Sequence, residues 1–309
     1  MAVSSVDRTD LGSRARERTH VFPELHSKAP RAHRRSGAAR RYGPASIEVP
    51  GIGRKVQVKI ASEFDEFKGA FRLLATNYQA CGYESPSAGV YRFTPYHVLP
   101  TTVTVVAKHE NHVVATLSVV LDTELCGLPM ESVYETEIDG LRRDGRRLAE
   151  ATCLADRELG IHEFVCVFKT LIKVGMQYHL RQGGDSWVIA VNPRHRRFYQ
   201  KVLGFVPLGP RRTYPSVQGH PAEAYVSGVD LLRAHAPEMS REVLGEILPG
   251  SVLKAPRWSP ARVRFFGKRS TQADGATIDA LLSHVERYSG RPRWVTATAT
   301  LSEAGHCVA

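Results

Sequence analysis

The sequence predicts an α/β fold, with helices packed on a mixed α+β sheet, and three patterns carry that prediction. Apolar residues switch several times between the alternating spacing of strands and a spacing near 3.6, as in helices. Two β-branched runs, Thr102 to Ala107 and Val113 to Leu121, flank the polar turn Lys108 to His112, which signals a hairpin. The apolar run Trp187 to Val191 leads directly into Asn192 and Pro193, a helix cap followed by a residue suited to the first helical position.

The elements follow in order. Val56, Val58 and Ile60 alternate as a strand, and Phe64, Phe67, Phe71, Leu74 and Tyr78 recur at helical spacing. After the hairpin, Arg147 to Ala155 reads as a strand whose small residues Ala149, Ala151, Cys153 and Ala155 share one face, so that it can sit close under a helix. A stripe of Phe164, Phe168, Leu171, Val174 and Tyr178 predicts a helix over Phe164 to Leu180. The strand Trp187 to Val191 comes next, then a helix carrying Phe198, Tyr199, Val202 and Leu203 that stops at Gly204, then a final strand over Ala224 to Leu232. Beyond Ala234, proline-containing stretches and the amphipathic segment Ile278 to Tyr288 predict a partly helical, irregular extension.

With 42% hydrophobic and 24% charged residues, the chain has the balance of an ordinary globular protein that needs no metal or disulfide framework. Its five cysteines, Cys81, Cys126, Cys153, Cys166 and Cys307, are scattered, without a C-x-x-C pair or a histidine at zinc-ligand spacing. They read as reduced thiols, and neither a metal nor a resident cofactor is expected. No apolar run approaches the roughly 20 residues of a membrane span. The arginine-rich N-terminus lacks the apolar region of a secretory signal, so the expected location is the cytoplasm. Residues 1–50, with Arg31, Arg34, Arg35, Arg40 and Arg41 among Ser, Ala, Gly and Pro, predict a basic disordered arm; 51–234 form the folded domain and 235–309 the extension. The net charge of +11 points to an anionic partner: nucleic acid, a membrane surface or an acidic protein.

This element order, together with V-I-A-V-N-P-R-H-R-R-F-Y-Q-K-V-L-G-F at Val188 to Phe205, resembles the GNAT acyltransferases. In that fold two central parallel strands splay apart and the donor thioester lies in the gap; here the pair would be Arg147 to Ala155 and Trp187 to Val191. From Phe71 to about Asp230 the chain resembles more closely the N-acyl amino acid synthases of the FeeM type, relatives of the acyl-homoserine-lactone synthases. The resemblance is carried by Y-H-V-L-P-T-T-V-T at Tyr96 to Thr104, A-T-L-S-V-V-L-D at Ala115 to Asp122, G-L-P-M-E-S-V-Y-E-T-E-I-D-G-L-R at Gly127 to Arg142 and A-E-A-T-C-L-A at Ala149 to Ala155.

The resemblance implies transfer of a long acyl chain from an acyl carrier protein to the amine of an amino acid. A CoA-using relative needs a glycine-rich loop whose backbone N–H groups hold the pyrophosphate at a helix N-terminus. The corresponding stretch, Asp156 to Glu163, has one glycine and the acidic residues Asp156, Glu158 and Glu163. An acidic carrier protein instead complements a basic enzyme. Arg194, Arg196, Arg197 and Lys201 on one helix, with Arg142, Arg143, Arg146 and Arg147 before the central strand, are the candidate docking residues; as a bland alternative they are solvated faces.

Amide formation requires a neutral amine, and a positioned base contributes about 10² to 10⁴ in rate. Glu150 is the candidate, because the resemblance matches it to the strand glutamate of the lactone synthases; from the residues alone it reads as a structural partner of a nearby arginine. Thr152 follows on the same face, and Cys153 reads as a small core residue because nothing adjacent in sequence lowers its pKa. Many relatives carry a Ser-Arg pair where Thr152 and Cys153 stand. Tyr199 is either the acid that protonates the departing thiolate or a core aromatic. Asn192 is a cap with a second role in substrate contact, and His195 is either a base or a surface histidine. Tyr78, Tyr83, Tyr91 and Tyr96 populate the region that would line the acceptor pocket. Three other functions share parts of this pattern: a CoA-dependent N-acetyltransferase, a lactone synthase using S-adenosylmethionine, and a non-catalytic regulator binding nucleic acid through the basic arm.

Overall fold

The computed structural model describes residues 46–85, 90–124, 126–157 and 159–270, with 278–280, 282–283 and 292–294. The arm before Ser46, Glu158, Cys307 and most of the segment Ile278 to Tyr288 lie outside the described residues. One mixed sheet of eight strands organises the rest, in the order β1-β2-β3-β4-β5-β6-β8-β7. The strands are β1 (Ile47–Glu48), β2 (Val56–Ile60), β3 (Val103–His109), β4 (His112–Leu121), β5 (Leu148–Asp156), β6 (Ser186–Val191), β7 (Val206–Thr213) and β8 (Pro221–Gly228). Helices α1 (Phe64–Ala80) and α2 (Glu131–Arg143) pack on one face, and α3 (Ile161–Arg181) on the other. Shorter helices α4 (Arg196–Leu203), α5 (Val229–His235), α6 (Pro237–Leu244) and α7 (Pro260–Gly267) complete the described part.

Local sequence explains these elements. In β2, Val56, Val58 and Ile60 are buried and the residues between them are half-buried, as the alternation predicts. The hairpin β3–β4 tightens around Glu110, which adopts φ 53 at the turn. Helix α1 begins with a capping box in which the Glu66 carboxylate returns to the backbone N–H groups of Ser62 and Glu63. Helix α3 approaches the sheet closely through Gly175, where a Cβ would lie 2.9 Å from Val119 and 3.1 Å from Trp187. After β6, Asn192 accepts a hydrogen bond from Arg194 N at 3.1 Å and caps a 3₁₀ turn, α4 follows, and Gly204 ends it at φ 61.

Four expectations are corrected. The span 1–50 assigned to the arm includes a strand, because Ile47–Glu48 pairs with β2. The last predicted strand ends at Gly228, and Leu231 and Leu232 belong to α5. Strand β7 was not predicted, since Pro207, Gly209 and Pro210 read against a strand; it lies at the sheet edge, where prolines are tolerated, and its pairing with β8 shifts register twice. The small residues of β5 do not share one face throughout. Ala149 and Ala151, in register with Trp187 and Val119, face α3, whereas Cys153 and Ala155 pack with Phe71 and Leu74 of α1. A β-bulge causes the change: Cys153 takes φ 55 and the register shifts between Thr116 and Ser118. No helix among the described residues is long and apolar enough to cross a membrane.

Candidate active site

The two central strands run parallel, and their pairing stops early. Leu148, Ala149 and Glu150 of β5 pair with Ser186, Trp187 and Val188 of β6. Beyond that point β5 stays bonded to β4 as far as Asp156, and β6 stays bonded to β8 as far as Val191. A gap therefore opens between the C-terminal halves of β5 and β6, and their facing backbone groups are left without a partner strand.

Glu150 stands at the last bonded pair, 2% exposed, on the face that carries Val120 and Val188. Its Oε2 accepts a hydrogen bond of 2.7 Å from Met130 N, just ahead of α2. Burial pushes its pKa up to about 8; the Met130 hydrogen bond opposes the shift and the charge of Glu131 adds to it. A carboxyl group that titrates near neutral pH is suited to proton transfer.

Phenols surround this carboxyl. Burial pushes Tyr96 up to about 12, with the charge of Glu150 adding to the shift. Tyr214 is raised by burial and also feels Glu150, Tyr78 and Tyr96. Tyr78 extends the group towards Tyr83, with ring centroids 5.7 Å apart, and the Tyr83 hydroxyl accepts from Asn192 Nδ2 at 3.3 Å. Tyr78 also covers the guanidinium of Arg92 at 3.9 Å, and Arg92 makes a buried ion pair with Glu84. Thr152 lies beside Ser118 on the Glu150 face, with its hydroxyl 4.0 Å from the Cys153 sulfur. Tyr214, Arg92 and Glu84 were not singled out in the sequence. No local pattern marks them, because the β7–β8 connection and the loop after α1 bring them to the gap. Tyr91, by contrast, is a packing residue, with its ring 5.3 Å from Phe266. Among the described residues no group of three or more His, Cys, Asp or Glu side chains is placed to hold a metal ion.

The family described as N-acyl amino acid synthase FeeM matches residues 69–227, a span that contains this gap and every residue around it. The chain belongs to that family. The solved structure of FeeM, from uncultured soil microbes, is 26% identical to this chain, covering 60% of it and 95% of FeeM with a TM-score of 0.51. The AHL synthase LasI is 14% identical, over 63% of this chain and 96% of LasI, with a TM-score of 0.44. A comparison with curated proteins finds no match. The fold is thus that of the GNAT acyltransferases, and this FeeM-family protein is an acyltransferase.

The remaining candidates divide by position. Tyr199 is half-buried on the α3 side, its ring 5.5 Å from Phe198, 6.0 Å from Phe205 and 6.5 Å from Phe168, and burial raises its pKa. It approaches the sheet from the face opposite Glu150. His195 Nε2 is engaged by Arg194 Nε at 2.9 Å, and burial together with that guanidinium lowers the ring's pKa to about 4, so it is neutral at pH 7. Arg194, Arg196, Arg197 and Lys201 are exposed along the turn and helix after β6. Arg196 and Arg197 also line a cleft of about 440 Å³ with Arg211, Glu223 and Tyr225.

The second arginine group does not stand at the gap. Arg142 is committed to Asp122, Glu131 and Asp139, Arg146 to Asp230 at 2.8 Å, and Arg147 to Asp185 at 2.9 Å. Together with Arg143 they precede Leu148, at the end where β5 and β6 are still bonded. Arg143 and Arg146 thus stand at the closed end of the strand pair.

Proposed function

We propose that this protein transfers a long-chain fatty acyl group from the thioester of an acyl carrier protein to the amine of an amino acid, in the cytoplasm, giving an N-acyl amino acid. The observation that carries the reading is Glu150, a buried carboxyl with its pKa near 8 where the two strands part. In its ionised form Glu150 takes a proton from the acceptor's ammonium. The neutral nitrogen attacks the thioester carbonyl, whose oxygen accepts hydrogen bonds from unpaired backbone N–H groups of the gap. The C–S bond then breaks, the electron pair leaves with sulfur, Tyr199 supplies the proton that the thiolate takes up, and the second proton that the nitrogen releases as the amide forms restores the phenol. Asn192, Tyr78, Tyr96 and Thr152 line the acceptor side.

Two features favour a carrier protein as donor, with no resident cofactor. The first turn of α3, where a CoA-using enzyme would hold pyrophosphate, carries Glu163, whose carboxylate is paired with Arg54 through two hydrogen bonds of 3.0 Å. A carboxylate there opposes a second anion. The exposed arginines that follow β6 offer complementary charge to an acidic carrier surface.

The test is mass spectrometry of lipid extracts from cells expressing the wild type or Glu150→Gln, followed by turnover of the purified protein with acyl carrier protein or acyl-CoA as donor. N-acyl amino acids from the wild type, greatly reduced in the variant and dependent on the carrier, support the reading. No such product from the wild type would sink it, and faster turnover with acyl-CoA would replace the donor.

A further inference from the structure

Arg92 is a charge in an unexpected place. It lies between Tyr91 and Phe93, both in the aromatic core, and is only 5% exposed. A buried guanidinium is unfavourable unless its donors are matched, and here the matching is partial. Nη1 is paired with Glu84. Nη2 has a long contact of 3.5 Å to the carbonyl of Ser216 in the β7–β8 connection. Nε has no hydrogen-bond partner among the described residues.

The distribution matters because a guanidinium is planar. Nε and Nη2 form one edge with parallel N–H bonds, and that edge fits both oxygens of a carboxylate. Glu84 occupies the other end, so the bidentate edge of Arg92 is the one left nearly unfilled.

Its place relative to Glu150 is also defined. The guanidinium also reaches the Cys153 thiol, a weak acceptor, through both charge and a side-chain hydrogen bond, and Cys153 follows Glu150 by three positions on β5. The left-handed backbone at Cys153 turns that side chain onto the α1 face, the face of Glu150. Three regular strand residues span roughly 10 Å, and the bulge at Cys153 shortens that distance. An α-amino acid bridging two groups needs a hydrogen bond of about 3 Å at each end, and its amine and carboxyl carbon are about 2.5 Å apart. The spacing suits an acceptor whose amine meets Glu150 while its carboxylate meets Arg92.

We infer that Arg92 binds the α-carboxylate of the acceptor through its Nε–Nη2 edge, displacing the Ser216 carbonyl, and so restricts acceptors to amines that carry an adjacent carboxylate. The inference rests on the acyl-transfer reading above. It adds a reason for selectivity. The Glu84–Arg92 pair is neutral, and so is a zwitterionic amino acid, so binding leaves the buried charge balanced. An amine without a carboxylate enters as a cation beside Arg92 and leaves the edge unfilled.

The experiment uses the full chain with fatty acyl carrier protein and three acceptors: an amino acid, its primary amide and the corresponding decarboxylated amine. The wild type should favour the acid over the amide by about 100-fold or more in kcat/KM, as for a site built to hydrogen-bond one group. Glu84→Gln with Arg92→Gln replaces the ion pair by a neutral amide pair. In that double variant the ratio should collapse to within about threefold, through a higher KM for the acid, with little change in the KM of the donor. Arg92→Lys, which keeps the charge but not the edge, should lower the ratio as well, and it serves if the double variant fails to fold. Equal use of acid and amide by the wild type, or an undiminished ratio in a folded variant, overturns the assignment alone. Failure of the wild type to acylate any of the three amines overturns the acyl-transfer reading and this assignment with it.

Discussion

The carboxylate of Glu150 accepts its hydrogen bond from the backbone N–H of Met130 at 2.7 Å, which ties the proposed base to the residue that opens α2. Burial outweighs that contact and leaves Glu150 titrating at about 8. As a general base it works only when ionised, so kcat/KM for the amino acid should rise with pH up to about 8 and level off above it. Glu150→Gln keeps an acceptor for the Met130 N–H but removes the base, and the rate should fall by about 10² to 10⁴. A flat pH profile across this range would remove Glu150 from the mechanism.

The same shift makes a prediction about stability. The pKa of Glu150 rises from 4.5 to about 8 on folding, so between those values the folded state holds a proton that the unfolded chain releases. The contribution is fully present below pH 4.5 and is lost as pH rises through about 8. Glu150→Gln has no such dependence. Denaturant unfolding at about pH 5 and pH 8 should show the variant gaining on the wild type at the higher pH, by an amount on the order of 4 kcal/mol at most. No change in their difference would show that Glu150 is ionised in the folded protein.

Tyr199→Phe tests the proposed acid. The ring contacts with Phe168, Phe198 and Phe205 survive the substitution, so the melting temperature should stay close to that of the wild type. Loss of the proton donor should reduce kcat by about 10-fold or more. An unchanged kcat assigns Tyr199 to packing.

How much of this was readable before the fold was known depends on what fixes each residue. Strand β2 and helices α1 and α3 keep their periodicity, and β3, β4, β5 and β6 are runs of β-branched, small or apolar residues, so local pattern located them. The prolines and glycine of β7 obscured a strand that only the sheet edge permits. Helix α2 buries only Tyr134 and Ile138, too sparse a stripe to announce itself. Glu150 was found by resemblance, and its position at the last bonded pair supplies the physical reason. Arg92 and Tyr214 carry no local mark, because it is contact across the chain, Arg92 with Ser216 and Tyr214 with Glu150 and Tyr78, that brings them to the gap.

Charge reversal separates the two arginine groups. Arg194→Glu with Arg197→Glu alters the exposed segment after β6 and should raise the KM for acyl carrier protein by about 10-fold, with a weaker salt dependence. The KM for a small acyl-pantetheine thioester should not move. Arg143→Glu, at the closed end of the strand pair, should leave both constants unchanged. An equal effect from Arg143→Glu would show that the carrier approaches from the other end.

The segment after α6 reaches the site through aromatic packing. Trp258 lies 4.6 Å from Phe67 and 5.5 Å from Phe93, and Phe93 directly follows Arg92. The Ser270 hydroxyl donates to the Phe93 carbonyl, and Tyr91 N donates to the Arg269 carbonyl at 3.3 Å, so both neighbours of Arg92 are held by this segment. Trp258→Ala should reduce stability by about 2 kcal/mol, below the 3–5 kcal/mol of a wholly buried aromatic because Trp258 is half-buried. It should also raise the KM for the amino acid while leaving that for the acyl donor unchanged, since the lost ring packs on Phe93, which directly follows Arg92. Ile247→Ser, at a side chain 88% exposed, is the control and should shift stability by less than about 0.5 kcal/mol. A Trp258 variant that loses stability without any change in the KM of the amino acid would show that the packing does not position Arg92.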